Sequence, residues 1–95
     1  MEEIKHVNGD KNGHFSLYID DKEAGLMSYV WVSKQRFIID HTEVKPGYEG
    51  HGYGKLLVKA GVEFARKEGV KIIPLCPYAK AVIDRTPEYH DVLDA

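Results

Sequence analysis

What the chain is short of narrows it first. It holds one cysteine, which excludes an intrachain disulfide framework and fits a reducing, cytoplasmic compartment. No apolar run approaches the length of a membrane span, and the opening MEEIKHVNGD does not read as a signal peptide, so no membrane partner is expected. Its 13 basic residues are scattered and the net charge is −2. With no basic tract to meet a phosphate backbone, nucleic acid is not an expected partner either. There is no internal repeat, low-complexity tract or linker, and 95 residues read as one domain, 1–95. A hydrophobic fraction of 43% suffices for one modest core.

Glycine, by contrast, is concentrated. In EVKPGYEGHGYGKLLVKAGVEFARKEG, Gly47, Gly50, Gly52 and Gly54 fall together and an amphipathic stretch follows at once. The chain before this segment is β-like. HFSLYID (His14–Asp20) alternates, AGLMSYVWV (Ala24–Val32) is apolar and aromatic, and FIIDHTEV (Phe37–Val44) is a third strand; IKHV (Ile4–Val7) adds an edge. Short polar turns between them imply an antiparallel meander. Aromatics such as Tyr18, Tyr29 and Trp31 read as core or cross-strand pairs.

After the glycines the period changes. Leu57, Ala60, Gly61 and Phe64 recur at helical spacing from Lys55 onward, Lys59–Glu63 and Glu63–Lys67 are pairs of opposite charge, and Gly69 sits where a helix cap belongs. VKIIPLC (Val70–Cys76) is a further strand, made parallel to Phe37–Val44 by the helical crossover. Pro77 then opens a second helix, to about Asp84, with Cys76 at or near its N-cap and Thr86–Pro87 as a stop. The class is α+β: a mixed sheet built from a meander and a parallel β-α-β unit.

Glycines at a strand-to-helix junction let an anion reach N–H groups that have no partner in the helix, where the macrodipole is positive. Two better-known versions of this device do not fit. A P-loop needs glycine where Glu49 stands and a hydroxyl where Leu56 stands. A dinucleotide fingerprint needs different glycine spacing and a larger parallel fold. On the pattern alone, a glycine-rich turn that packs helix against sheet stays open.

The same segment resembles the acetyl-coenzyme A loop and helix of the GNAT acetyltransferase superfamily. Glu49-Gly50-His51-Gly52-Tyr53-Gly54 stands where that family has Gln/Arg-x-x-Gly-x-Gly/Ala, with Val44 closing the strand before it and Leu56–Leu57 in the helix after it. DHTEV before the loop and IIPLCPYAKAVI after it extend the resemblance over Phe37–Ile83, to a small single-domain branch. The resemblance implies a GNAT-like minimal fold binding acetyl-CoA where the two parallel strands splay apart. Pyrophosphate would lie on the backbone from Glu49 through Gly50, His51, Gly52, Tyr53 and Gly54 to Lys55. Pantetheine would lie along Glu43 and Val44, with the thioester near Cys76. Glu49 departs from the pattern and implies weakened affinity. The usual tyrosine of the second helix is missing, with Ile83 or a neighbour in its place. The helices of larger members that shape the acceptor site are absent.

Three side chains are candidates for chemistry. Cys76, near a helix N-terminus, is a nucleophile or proton donor, or else a small buried hydrophobe. His41 and Glu43 share a strand face with Ile39 by simple alternation. His41 is then a base or partner for Cys76 and Glu43 a base for an amine, or both are structural. A metal is not expected, because His41, His51 and Cys76 lack a recognised ligand spacing. Two functions follow: acetyl transfer to an amine acceptor, with Cys76 as the candidate carrier, or acetyl-CoA binding or sensing without turnover. A structural module whose loop binds nothing is a third.

Overall fold

The computed structural model describes residues 1–94: β1 (Glu2–Asn8), β2 (Asn12–Ile19), β3 (Lys22–Ser33), β4 (Arg36–Val44), α1 (Tyr53–Glu68), β5 (Lys71–Pro74), α2 (Pro77–Asp84) and a short 3₁₀ helix, Pro87–Val92. The five strands lie in the order β1-β2-β3-β4-β5, the first three pairings antiparallel and the last parallel. This is the α+β architecture expected from the periodicities.

Local chemistry accounts for the joints. Asp20 and Asp21 carry φ of 50° and 71°, the pair of left-handed residues that closes a two-residue hairpin with the twist of its strands. Gly69 has φ 69°, and the N–H groups of Gly69 and Val70 reach the carbonyls of Arg66 and Ala65, the double closure that satisfies a helix end.

α1 packs on β2, β3 and β4. Its buried residues are Gly54, Leu57, Val58, Gly61, Val62 and Ala65, spaced by threes and fours. The stripe is therefore rotated from the one expected: Ala60 and Phe64 lie half-buried on its flank, while Val58 and Val62 go inward. Gly61 permits the approach, since a Cβ there would stand 2.7 Å from Met27 Cε. Against this stripe the sheet presents Phe15, Leu17, Met27, Tyr29, Phe37 and Ile39, none more than 2% exposed. Burying side chains of this size is worth about 1.5–3 kcal/mol each.

Two expectations need correction. Thr86–Pro87 does not only stop α2; it caps and opens the 3₁₀ helix, because proline suits a first helical position. That helix is tied to α1 by Arg66, whose Nε and Nη2 donate to the Asp91 carboxylate at 2.9 and 2.8 Å. The Lys59–Glu63 and Glu63–Lys67 pairs are not formed among the described residues, in keeping with the small worth of exposed pairs.

Candidate active site

β4 and β5 pair only over Arg36–Ile39 and Lys71–Pro74. There they part. The N–H groups of Leu75 and Cys76 both donate to the carbonyl of Ile39, at 3.1 and 3.0 Å, and the chain turns into α2 at Pro77. Asp40–Val44 runs on with no strand on that side. The opening leads to a cleft of about 320 Å³ lined by Thr42, Val44, Tyr48, Glu49, Gly50, Gly52, Tyr53, Gly54 and Tyr78.

A β-bulge decides which side chains enter it. Tyr29 pairs with Ile39 but Ser28 pairs with His41, so Asp40 is an extra residue in β4. Cross-strand partners share a face. Thr42 is opposite buried Met27, whereas His41 and Glu43 are opposite Ser28 and Leu26. The bulge thus reverses the simple alternation. Thr42 and Val44, not His41 and Glu43, continue the face of Ile39. His41 and Glu43 lie on the reverse face, 57% and 50% exposed, with His41 Nε2 3.2 Å from Glu43 Oε1.

Cys76 is not among the residues that line the cleft; it is 7% exposed and is the N-cap of α2, two residues before cleft-lining Tyr78. Burial pushes its thiol up. The N–H of Ala79, the Thr42 hydroxyl, the N–H of Tyr78 and the backbone of Thr42 pull the other way, and the sulfur ends below the ordinary cysteine value. Tyr78 behaves oppositely: burial raises its phenol, offset in part by Arg85, so it keeps its proton at neutral pH. Its ring rests on Gly54, where a Cβ would stand 2.7 Å from three ring and hydroxyl atoms.

The loop has a clear reason for its glycines. Gly47, Gly50 and Gly52 have φ of 91°, 83° and 76°, and space for a Cβ is open at all three; the left-handed backbone, not crowding, selects glycine. Gly52 is also the N-cap of α1, with no side-chain cap and no acidic residue in the first turn. The opening N–H groups of the helix therefore have no side-chain cap, and Gly52, Tyr53 and Gly54 line the cleft. No lysine or arginine lines the cleft. Glu49 is turned back on its own loop, its Oε1 accepting the N–H of Gly47 at 2.9 Å. Of the other residues foreseen, His51 stacks on Tyr53 with ring centroids 5.2 Å apart, and exposed Lys55 stands in the first turn of α1. Thr42, Tyr48 and Tyr78 were not foreseen. Tyr78 follows Cys76 by two residues, which was the available signal. Thr42 needed the bulge.

The family model described as GCN5-related N-acetyl-transferase matches residues 14–92. The chain belongs to the GCN5-related N-acetyltransferase family. Protein NATD1 of Xenopus tropicalis is 28% identical over 85 residues, 88% of this chain and 78% of that protein. A GCN5-like protein from Staphylococcus aureus, solved by NMR, is 31% identical with a TM-score of 0.71, covering 96% of this chain and 88% of the other. At 9% identity, a GNAT family acetyltransferase from Elizabethkingia anophelis with acetyl-CoA bound shares the fold: its TM-score is 0.72 over 90% of this chain and 74% of that one. Acetyl-CoA-dependent acetyl transfer is the chemistry of this family, and the chain is an acyltransferase in that broad sense. No helix among the described residues is long and apolar enough to cross a membrane.

Proposed function

We propose that the protein, as a single domain in the cytoplasm, binds acetyl-CoA in the cleft and passes its acetyl group to an amine by way of Cys76. One observation carries this reading: the unpaired end of β4 and the uncapped start of α1 line one cleft with Tyr78 of α2, the helix that Cys76 opens. Pyrophosphate lies on the N–H groups from Glu49 to Gly54, with Lys55 and His51 at the rim. Pantetheine pairs with the free strand edge near Glu43 and Val44.

The thiolate of Cys76 attacks the thioester carbon. A carbon–sulfur bond to Cys76 forms and the one to coenzyme A breaks, and the departing thiolate takes the proton of Tyr78. The amine then attacks the Cys76 thioester and the thiolate re-forms. The proton shed by the amine returns to the Tyr78 phenolate; His41 and Glu43, on the reverse face, take no part. Holding donor and acceptor together supplies much of the acceleration.

A second reading has an observation of its own. Cys76 is almost closed to solvent, and a thiol that never meets the thioester leaves a protein that binds or senses acetyl-CoA without turnover.

Titration with acetyl-CoA, followed by amide NMR and intact mass, tests both. Shifts confined to Val44–Lys55 and the Cys76 turn, with a gain of one acetyl group, are expected. Shifts without the mass gain leave the second reading. No shifts at millimolar ligand overturn both.

A further inference from the structure

The loop before α1 alternates glycine with rings: Tyr48 follows Gly47, His51 follows Gly50 and Tyr53 follows Gly52. Each of those three glycines has a positive φ, so the backbone turns left-handed immediately before each ring. The turns gather the rings. His51 and Tyr53 stack, their centroids 5.2 Å apart and their planes 24° from parallel. Tyr48 lies 6.3 Å from Tyr53, tilted by 47°. Tyr53 is half-buried and packs against the core, whereas His51 is exposed. Tyr48 and Tyr53 line the cleft.

A turn from β4 into α1 needs the glycines but not the rings. What the cleft lacks gives the rings a purpose. Among the described residues no lysine or arginine lines it. Lys55 stands in the first turn of α1 outside the lining, and Glu49 is bonded back to Gly47. A nucleotide in this cleft therefore meets backbone N–H groups and aromatic faces, and no cation.

We infer that His51 and Tyr53 form a stacking platform for the adenine of coenzyme A, so that ring stacking gives the protein its preference for the whole coenzyme over the phosphopantetheine half. The inference rests on the reading that acetyl-CoA occupies the cleft. In the coenzyme one ribose separates adenine from pyrophosphate. A pyrophosphate on the N–H groups from Glu49 to Gly54 thus carries its adenine within reach of rings borne by the same residues. A purine offers a flat π-face, and offset stacking on an aromatic side chain suits it without any charged partner. Tyr53, held by the core, fixes the platform, and exposed His51 extends it.

The test compares acetyl-CoA with acetyl-phosphopantetheine, which lacks the adenosine, by calorimetry in wild type, His51→Ala, Tyr53→Leu and Tyr53→Phe. His51→Ala and Tyr53→Leu are each expected to weaken acetyl-CoA binding by about fivefold and to leave acetyl-phosphopantetheine binding unchanged. Tyr53→Phe keeps the ring and is expected to bind both ligands as wild type does. Ring currents are expected to shift the adenine protons of bound acetyl-CoA upfield in proton NMR, less so in His51→Ala. That exposed position keeps the test decisive where Tyr53→Leu is unstable. Equal effects on the two ligands, undiminished acetyl-CoA affinity in His51→Ala, a Tyr53→Phe protein as weak as Tyr53→Leu, or adenine protons that do not move in wild type would each overturn the platform while the cleft reading stands. A wild type that binds neither ligand overturns the cleft reading and the platform with it.

Discussion

The two ends of β4 make opposite use of the same kind of backbone. Before Asp40, Phe37 and Ile39 are paired on both edges and wholly buried. After it, Thr42 and Val44 are paired to β3 alone and line a cleft. A single bulged residue separates a strand that holds the fold from a strand free to hold a ligand. Bulges recur beside active sites because they re-aim side chains without breaking the sheet.

Deletions break this comparison most sharply. Removing Thr42 brings Glu43 opposite Met27 on the cleft face, where its carboxylate is partly desolvated without a partner, for a loss of roughly 1–3 kcal/mol. Removing Asp40 deletes the bulge but leaves Thr42 and Val44 facing the cleft, and the fold is expected to survive. Urea denaturation of the two variants checks the pair; equal losses would mean that Asp40 is not the residue that sets the facing.

The ligand-facing end is tested next. Gly52→Asp forces a side chain into a left-handed backbone and places a charge at the start of α1. Acetyl-CoA affinity is expected to fall at least tenfold, about 1.4 kcal/mol, in calorimetry on protein shown to be folded. Glu49→Gln is the milder change. It keeps an oxygen for the N–H of Gly47 and removes a charge facing the pyrophosphate, so affinity is expected to rise by about fivefold, near 1 kcal/mol. An unchanged or lower affinity would mean that this carboxylate lies outside the field of the ligand.

The smallest effect lies at the far end of the sheet and calibrates the rest. His6 Nε2 stands 2.6 Å from the hydroxyl of Tyr29, which donates to Asn8 Oδ1. Burial first, and His14 second, hold the His6 pKa below its ordinary value of 6.5. The unfolded chain therefore takes up the proton first as pH falls. The stability contributed by neutral His6 is full above 6.5 and is lost as pH drops through the folded value. Tm measured down through this range should fall less steeply in His6→Gln than in wild type; identical slopes would remove His6 from the account.

Much of the fold was legible because its signals are local. Gly69 announced the end of α1 and Pro77 the start of α2. The glycines of the loop were legible as a special stretch of backbone, and the reason for three of them is the sign of φ. What escaped is non-local. FIIDHTEV alternates no differently with a bulge than without one, so the faces of His41 and Thr42 depended on the pairing with β3. Tyr78 belongs to the cleft because Gly54, distant in sequence, leaves space for its ring. The 3₁₀ helix after Pro87 depended on Asp91 meeting Arg66 across the fold.

The central claim is that the cleft delivers acetyl-CoA to Cys76. A single-turnover mixture of the protein with acetyl-CoA, read by intact mass and peptide mapping in wild type and Cys76→Ala, tests it most directly. The account predicts one acetyl group on Cys76 of the wild type, none on Cys76→Ala, and nearly equal acetyl-CoA binding by the two. Equal turnover by both proteins, with Cys76 unmodified, would contradict it and leave direct attack by the amine as the route.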